Sequence, residues 1–172
     1  MKRLITAIIA MTFVLVSASS FASTIAVINL GKVMSESKAG KAAKAEINSL
    51  ISAKKMVINR KMEQIKKLAK QLSKKNLSKK EKSKLVAEYQ AKIRDLEKYK
   101  SEAADEIRQK EQKLSAKIIN AIIKVIKNYA IAHKIDAVFE IGQGINTIYW
   151  NDKIDITNKI LKIFDKEYSP GK

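Results

Sequence analysis

Cysteine is absent from this chain, proline and histidine occur once each, and only five of the 172 residues are glycine. Without cysteine there is no disulfide, no zinc–thiolate centre and no thiol nucleophile. The shortage of proline and glycine leaves little material for turns and favours long uninterrupted elements, helices first. An apolar content of 46% is normal for a folding protein, and the length suits one ordinary domain or one small domain carrying an extension.

Charge is also missing from the start of the chain. Between Arg3 and Lys32 there is no charged residue, and Leu4 to Val16 is apolar apart from two threonines. The charged opening Met1-Lys2-Arg3, the apolar run and the small residues flanking Phe21 in Ser20-Phe21-Ala22 predict a secretory signal, residues 1–22, cut after Ala22. An uncleaved membrane anchor is the competing reading, since a span needs about 20 apolar residues. The polar run Ser17-Ala18-Ser19-Ser20 interrupts it. An exported basic protein rarely meets nucleic acid, so no nucleic-acid partner is expected.

Acidic residues are scarce in the middle of the chain. Residues 41–133 hold 25 basic and 10 acidic side chains, a net +15, whereas residues 23–40 carry +1 and residues 134–172 carry none. The peak is the stretch QLSKKNLSKKEKSK, Gln71 to Lys84, with Lys74, Lys75, Lys79, Lys80, Lys82 and Lys84 against the single Glu81.

Periodicity gives this region its shape. Ile47, Ile51, Ile58, Met62, Ile65, Ala69 and Leu72 recur largely at three- and four-residue steps, with Lys54 and Lys55 interrupting them, as a narrow apolar seam on a helix requires. A second stripe runs from Leu85 through Tyr89, Leu96, Tyr99, Ala103 and Leu114 to Ala132. Between the two, Ser78-Lys79-Lys80-Glu81 matches a capping box that starts a helix. The spacing predicts an antiparallel helical hairpin over 41–133 whose second helix, Ser78 to His133, is about 80 Å long and must protrude. Its apolar face widens over Ile118–Ile126, so the base of the hairpin is buried. His133 falls where the helix should stop, facing the negative end of the helix dipole, and reads as a terminal residue rather than a metal ligand or base.

The flanks supply the cover for that base. Thr24–Leu30, Ala137–Ile141 and Thr147–Trp150 read as strands, with Gly142-Gln143-Gly144 as a turn between the last two. Asp152 and Asp155 are conceivable as paired carboxylates, but Asp155-Ile156-Thr157 is better read as the start of a final helix, Asn158 to Glu167. At 57 residues together, these flanks lie near the lower limit for a self-sufficient core. An oligomer joined through them is therefore expected, with Ile25, Val27, Ile28, Val138, Phe139, Ile141, Ile148 and Tyr149 contributing. The fold class is α+β, mainly α: a small β-rich body (23–40 and 134–172) and a long helical hairpin.

IAVINLGKVMSESKAGK at the start and IDAVFEIGQGINTIYWNDKIDITNKILKIF at the end, separated by a Lys-rich hairpin, together resemble the Skp/OmpH family of periplasmic chaperones. Gly142-Gln143-Gly144 and the bulky Trp150 depart from the family's pattern. The resemblance implies a trimer with a β-rich trimerisation body, three helical tentacles around a cavity, and a holdase that keeps unfolded outer-membrane proteins soluble in the periplasm. It also implies contact with lipopolysaccharide or anionic lipid through basic tentacle residues, for which Arg108, Lys110 and Lys113 are candidates beside the tip lysines.

The residues suit such a role. Lysines attract acidic chains at short range, since the Debye length is about 8 Å at physiological salt, and many weak apolar contacts on linked arms add up to tight binding. No G-x-x-x-x-G-K-[ST] loop occurs, in keeping with release that needs no nucleotide or other cofactor. Two other classes stay open: an enzyme, disfavoured by the lack of a convergent polar constellation, and a static envelope scaffold built on a basic coiled coil.

Overall fold

The computed structural model of the protein describes residues 23–74, 76–142 and 147–168. In chain order the elements are β1 (Ile25–Ile28), α1 (Leu30–Glu36), α2 (Lys38–Leu72), α3 (Lys79–Ala132), β2 (Ala137–Glu140), a 3-10 turn (Asp152–Ile154) and α4 (Thr157–Glu167). The expected signal segment 1–22, Lys75 and the turn residues Gln143 and Gly144 lie outside the described residues.

Both long helices form where their stripes predict, and the capping box is present. The Ser78 hydroxyl accepts from the Glu81 N–H, and the Glu81 carboxylate accepts from the Ser78 N–H at 3.0 Å. α3 spans 54 residues, about 80 Å of helix. It stops at His133, where Lys134 takes a left-handed conformation (φ 53°) and the Ile135 N–H turns back to the Ala130 carbonyl, a Schellman closure. His133 stacks on Tyr129 with ring centroids 3.9 Å apart, and its Nδ1 lies 3.0 Å from the Tyr129 carbonyl oxygen.

Three expectations for the flanks are corrected. The strand foreseen over Thr24–Leu30 ends at Ile28, because the Asn29 side chain accepts from the Lys32 N–H at 2.7 Å and starts α1, a helix the apolar run concealed. Ala137–Glu140 does not pair with Thr147–Trp150 in a hairpin. It pairs in parallel with β1, Ile25 opposite Ala137 and Ile28 opposite Glu140. Thr147–Trp150 forms no strand: Thr147 and Trp150 are half-buried, but Ile148 and Tyr149 between them are 99% and 81% exposed. The body accordingly holds more helix than strand. Parallel strands need a crossover, and here the whole helical arm is that crossover.

The core lies where the ends of the chain meet the root of the arm. Ala26 and Ile28 of β1, Val33 of α1, Ala39 of α2, Ile118, Ile122 and Val125 of α3, and Ile156, Ile160 and Phe164 of the C-terminal segment form one buried cluster. The sequence ends are clasped by hydrogen bonds across more than a hundred residues. The Asn29 N–H donates to Thr157 Oγ1 (2.9 Å), the Lys38 N–H to Asp165 (2.8 Å) and the Thr24 N–H to Asp136 (2.7 Å). The Ile156 N–H donates to the Val27 carbonyl on the edge of β1 away from β2 (2.9 Å).

The joint between α1 and α2 explains the SESKAGK stretch. Buried Ser37 ends α1 and caps α2, its hydroxyl accepting from the Gly40 N–H at 3.1 Å and donating to the Met34 carbonyl at 3.2 Å. A Cβ on Gly40 would fall 1.6 Å from the Met34 carbonyl oxygen, so only glycine lets the two helices meet at this angle.

Candidate functional site

The arm is two antiparallel helices touching along one seam. Ile47 and Leu68 of α2 and Leu96 and Ala103 of α3 are buried on it. Three ion pairs cross between the helices, Glu46 with Lys110, Lys54 with Glu106, and Lys61 with Asp95, one number falling as the other rises. Lys54, which interrupts the apolar stripe in the sequence, reaches Glu106 and also lies 5.7 Å from the centroid of the Tyr99 ring; Lys61 lies 5.3 Å from the same ring.

These pairs share one flank of the seam. Glu46, Leu50, Glu106, Gln109 and Lys110 line a single cleft near the root, and Gln64, Leu68 and Glu88 line another nearer the tip. Leu50 and Gln64 are two heptads apart, as are Gln109 and Asp95, which places them on common lines along the two helices. The opposite flank is different. At its root is a groove of about 490 Å³ lined mostly by Met34, Ala43, Ile47, Ile51, Leu114 and Ile118, with Lys44 on one wall and Glu111 on the other. Heptad steps continue it from Lys44 to Ile51 and Ile58, from Asn48 to Lys55 and Met62, and from Leu114 through Ile107 and Lys100 to Ile93 and Val86. Among the described residues no ion pair crosses between the helices on this side.

At the tip, Lys74, Lys79, Lys80, Lys82 and Lys84 are all exposed, and none forms an ion pair among the described residues. The acids nearby are already engaged. The Ser78 hydroxyl, and then its N–H, holds the Glu81 carboxyl below its ordinary range. Hydrogen bonds from Lys66 and Lys61 do the same for Glu63 and Asp95, and Glu106 raises the Lys54 ammonium. Of the three further basic candidates, Arg108 is paired with Asp105 (2.8 Å) and Lys110 with Glu46 (2.6 Å). Lys113 is exposed at the mouth of the root cleft.

The residues expected to join copies divide into two sets. Val27 and Ile28 are buried inside the protomer, and Val138 and Ile141 are half-buried. Ile25, Phe139, Ile148 and Tyr149 are exposed on the body. Ile131, 79% exposed at the end of α3, belongs with this second set; it lies off the apolar stripe and the sequence did not single it out. Asp155 accepts from the Thr157 N–H at 2.7 Å just ahead of α4, whose N-cap position is Ile156, while Asp152 opens the 3-10 turn, so each carboxylate has a local structural position. Among the described residues no cluster of His, Asp and Glu is placed to hold a metal ion, and no helix is long and apolar enough to cross a membrane.

Fold and surface together define a class: a small α+β body from which a long, cationic two-helix arm projects. The family model described as "Outer membrane protein (OmpH-like)" matches residues 24–164, and the chain belongs to this family. A protein of Aquifex aeolicus (strain VF5), described only as uncharacterized, is 32% identical over 152 residues, 88% of this chain and 92% of that protein. The crystal structure of a candidate outer membrane chaperone (OmpH-like) from Caulobacter crescentus CB15 superposes with a TM-score of 0.77 at 18% identity, covering 85% of this chain and 86% of that one, and shares the fold.

Proposed function

We propose that the protein is an ATP-independent periplasmic holdase, a binding protein rather than an enzyme, that keeps unfolded outer-membrane proteins soluble on their way to the outer membrane. The observation that carries this reading is the arm: about 80 Å of helix doubled back on itself, with exposed lysines at the tip and apolar side chains along one flank. An unfolded barrel protein exposes alternating apolar residues and is often acidic, so short-range attraction and many weak contacts suit it better than a fixed pocket. Membership of the OmpH-like family supports the same role.

Assembly into a trimer through the body belongs to this proposal. Ile25, Ile131, Phe139, Ile148 and Tyr149 are large apolar side chains left in water by a body with two short strands among its described residues, and burying them against other copies is the economical use of such a surface. Three arms held together would enclose a volume in which their positive fields overlap. Anionic lipid or lipopolysaccharide is a second partner for the tip lysines and for Lys113.

The test is light scattering of a denatured outer-membrane barrel protein diluted into buffer with and without the purified protein, together with native mass. A holdase suppresses the scattering as an oligomer with bound client; a static envelope scaffold, the alternative reading, leaves it unchanged. Changing Lys74, Lys75, Lys79, Lys80, Lys82 and Lys84 together to Gln should weaken capture or membrane association at low salt with the oligomer intact. Unaltered capture would reduce the tip to a solvated turn.

A further inference from the structure

The two flanks of the arm are chemically unlike, and the difference selects one of them. On the first flank the facing carboxylates and ammonium groups of α2 and α3 satisfy one another, and Tyr99 lies beneath two lysines. A segment docking there would have to break ion pairs already formed. On the second flank nothing crosses the seam. The root groove is walled by aliphatic side chains, Met62 and Val86 project further out as exposed apolar residues, and Lys44 and Lys55 lie beside them without an ion-pair partner among the described residues.

We propose that this open flank, from the Met34–Leu114 groove outward past Met62 to Val86, is the face on which the arm holds extended polypeptide segments that alternate apolar and polar residues and carry net negative charge. The inference rests on the holdase reading and specifies its surface. The match is in the chemistry: alternate side chains of an extended segment project to one side and meet the aliphatic row, while its acidic residues meet Lys44 and Lys55. Methionine at position 62 suits unlike clients, because its unbranched, polarizable side chain adapts to different partners. Met56, more exposed than Met62, lies outside this face, about a third of a turn around the helix from Met62, and so serves as a control.

The experiment places a photocrosslinking amino acid at position 62, 86, 56 or 64 of the full mature protein and adds a urea-denatured, acidic outer-membrane barrel polypeptide. Client crosslinks from positions 62 and 86 in several-fold excess over 56 and 64 are expected. In parallel, M62Q/V86Q should weaken capture about tenfold, equivalent to about 1.4 kcal/mol, and M56Q should leave it unchanged, with helicity of each variant checked by circular dichroism. If wild-type protein holds the client but crosslinks form equally from 56 and 64, the choice of flank is overturned and the holdase reading stands. Crosslinks from 62 and 86 to a second copy of this chain would also overturn it, making the flank an interface between copies. A wild-type protein that holds no client removes the holdase reading, and this inference with it.

Discussion

The body and the arm are held together by different physics. In the body, fully buried Val33, Ile160 and Phe164 and hydrogen bonds spanning up to 128 residues of sequence fix every element by several partners at once. In the arm, each turn of helix touches only its neighbour across a thin seam, and the remaining contacts are ion pairs in water. A buried cluster transmits any defect through the whole domain, whereas a long hairpin loses stability locally. Rigidity is concentrated in the body, and adaptability in the part exposed to partners.

The comparison is broken most severely from the body side. Phe164→Ala removes a fully buried ring from the cluster and should cost about 3–5 kcal/mol, lowering the thermal midpoint of the whole protein; a change confined to the body would show that the two parts unfold separately. Gly40→Ala drives a methyl group into the Met34 carbonyl and should destabilise by about 1–3 kcal/mol, read by denaturant unfolding. Were it neutral, the α1–α2 joint would be free to open. On the arm, Ser78→Ala deletes the capping box and should cost about 1 kcal/mol, seen as faster amide exchange in the first turns of α3 with body amides unchanged.

The smallest expected effect is that of pH. Glu63 and Glu81 have an ordinary value of 4.5 and Asp95 one of 3.8, and all three are held lower in the folded arm by hydrogen bonds from Lys66, Ser78 and Lys61. Their stabilisation is therefore complete above those ordinary values and is lost as pH falls through the lower, folded ones. Lys54, raised by Glu106 above its ordinary 10.5, behaves in the opposite sense: its contribution is complete below 10.5 and is lost as pH rises through the folded value. Amide exchange across 79–95 on acidification should accelerate before that of β1 and α4; the reverse order would put the acid-sensitive contacts in the body.

Much of the arm was legible in the sequence because its determinants are local. The apolar stripes, the Ser78–Glu81 box and the stop at His133 are each set within a few residues, and all reappear in the structure. α1 was hidden because it is only seven residues long, its Leu30 reads as the end of the apolar strand, and its start is set by the Asn29 cap. Thr147–Trp150 misled for a complementary reason: β-branched and aromatic residues mark a pleated surface that something must cover, and one protomer leaves Ile148 and Tyr149 exposed.

What the sequence determined alone is the length and spacing of the helices, the turn between them and the excess of positive charge, since periodicity, capping and ionisation are properties of neighbouring residues. Tertiary structure decided the rest. Val27 and Ile28 face inward while Ile25 and Phe139 face water, β1 pairs in parallel with β2, and the ion pairs that cross between the helices gather on one flank of the arm. Each of these depends on which distant segment arrives opposite, and a periodic pattern fixes the face of an element without naming its partner.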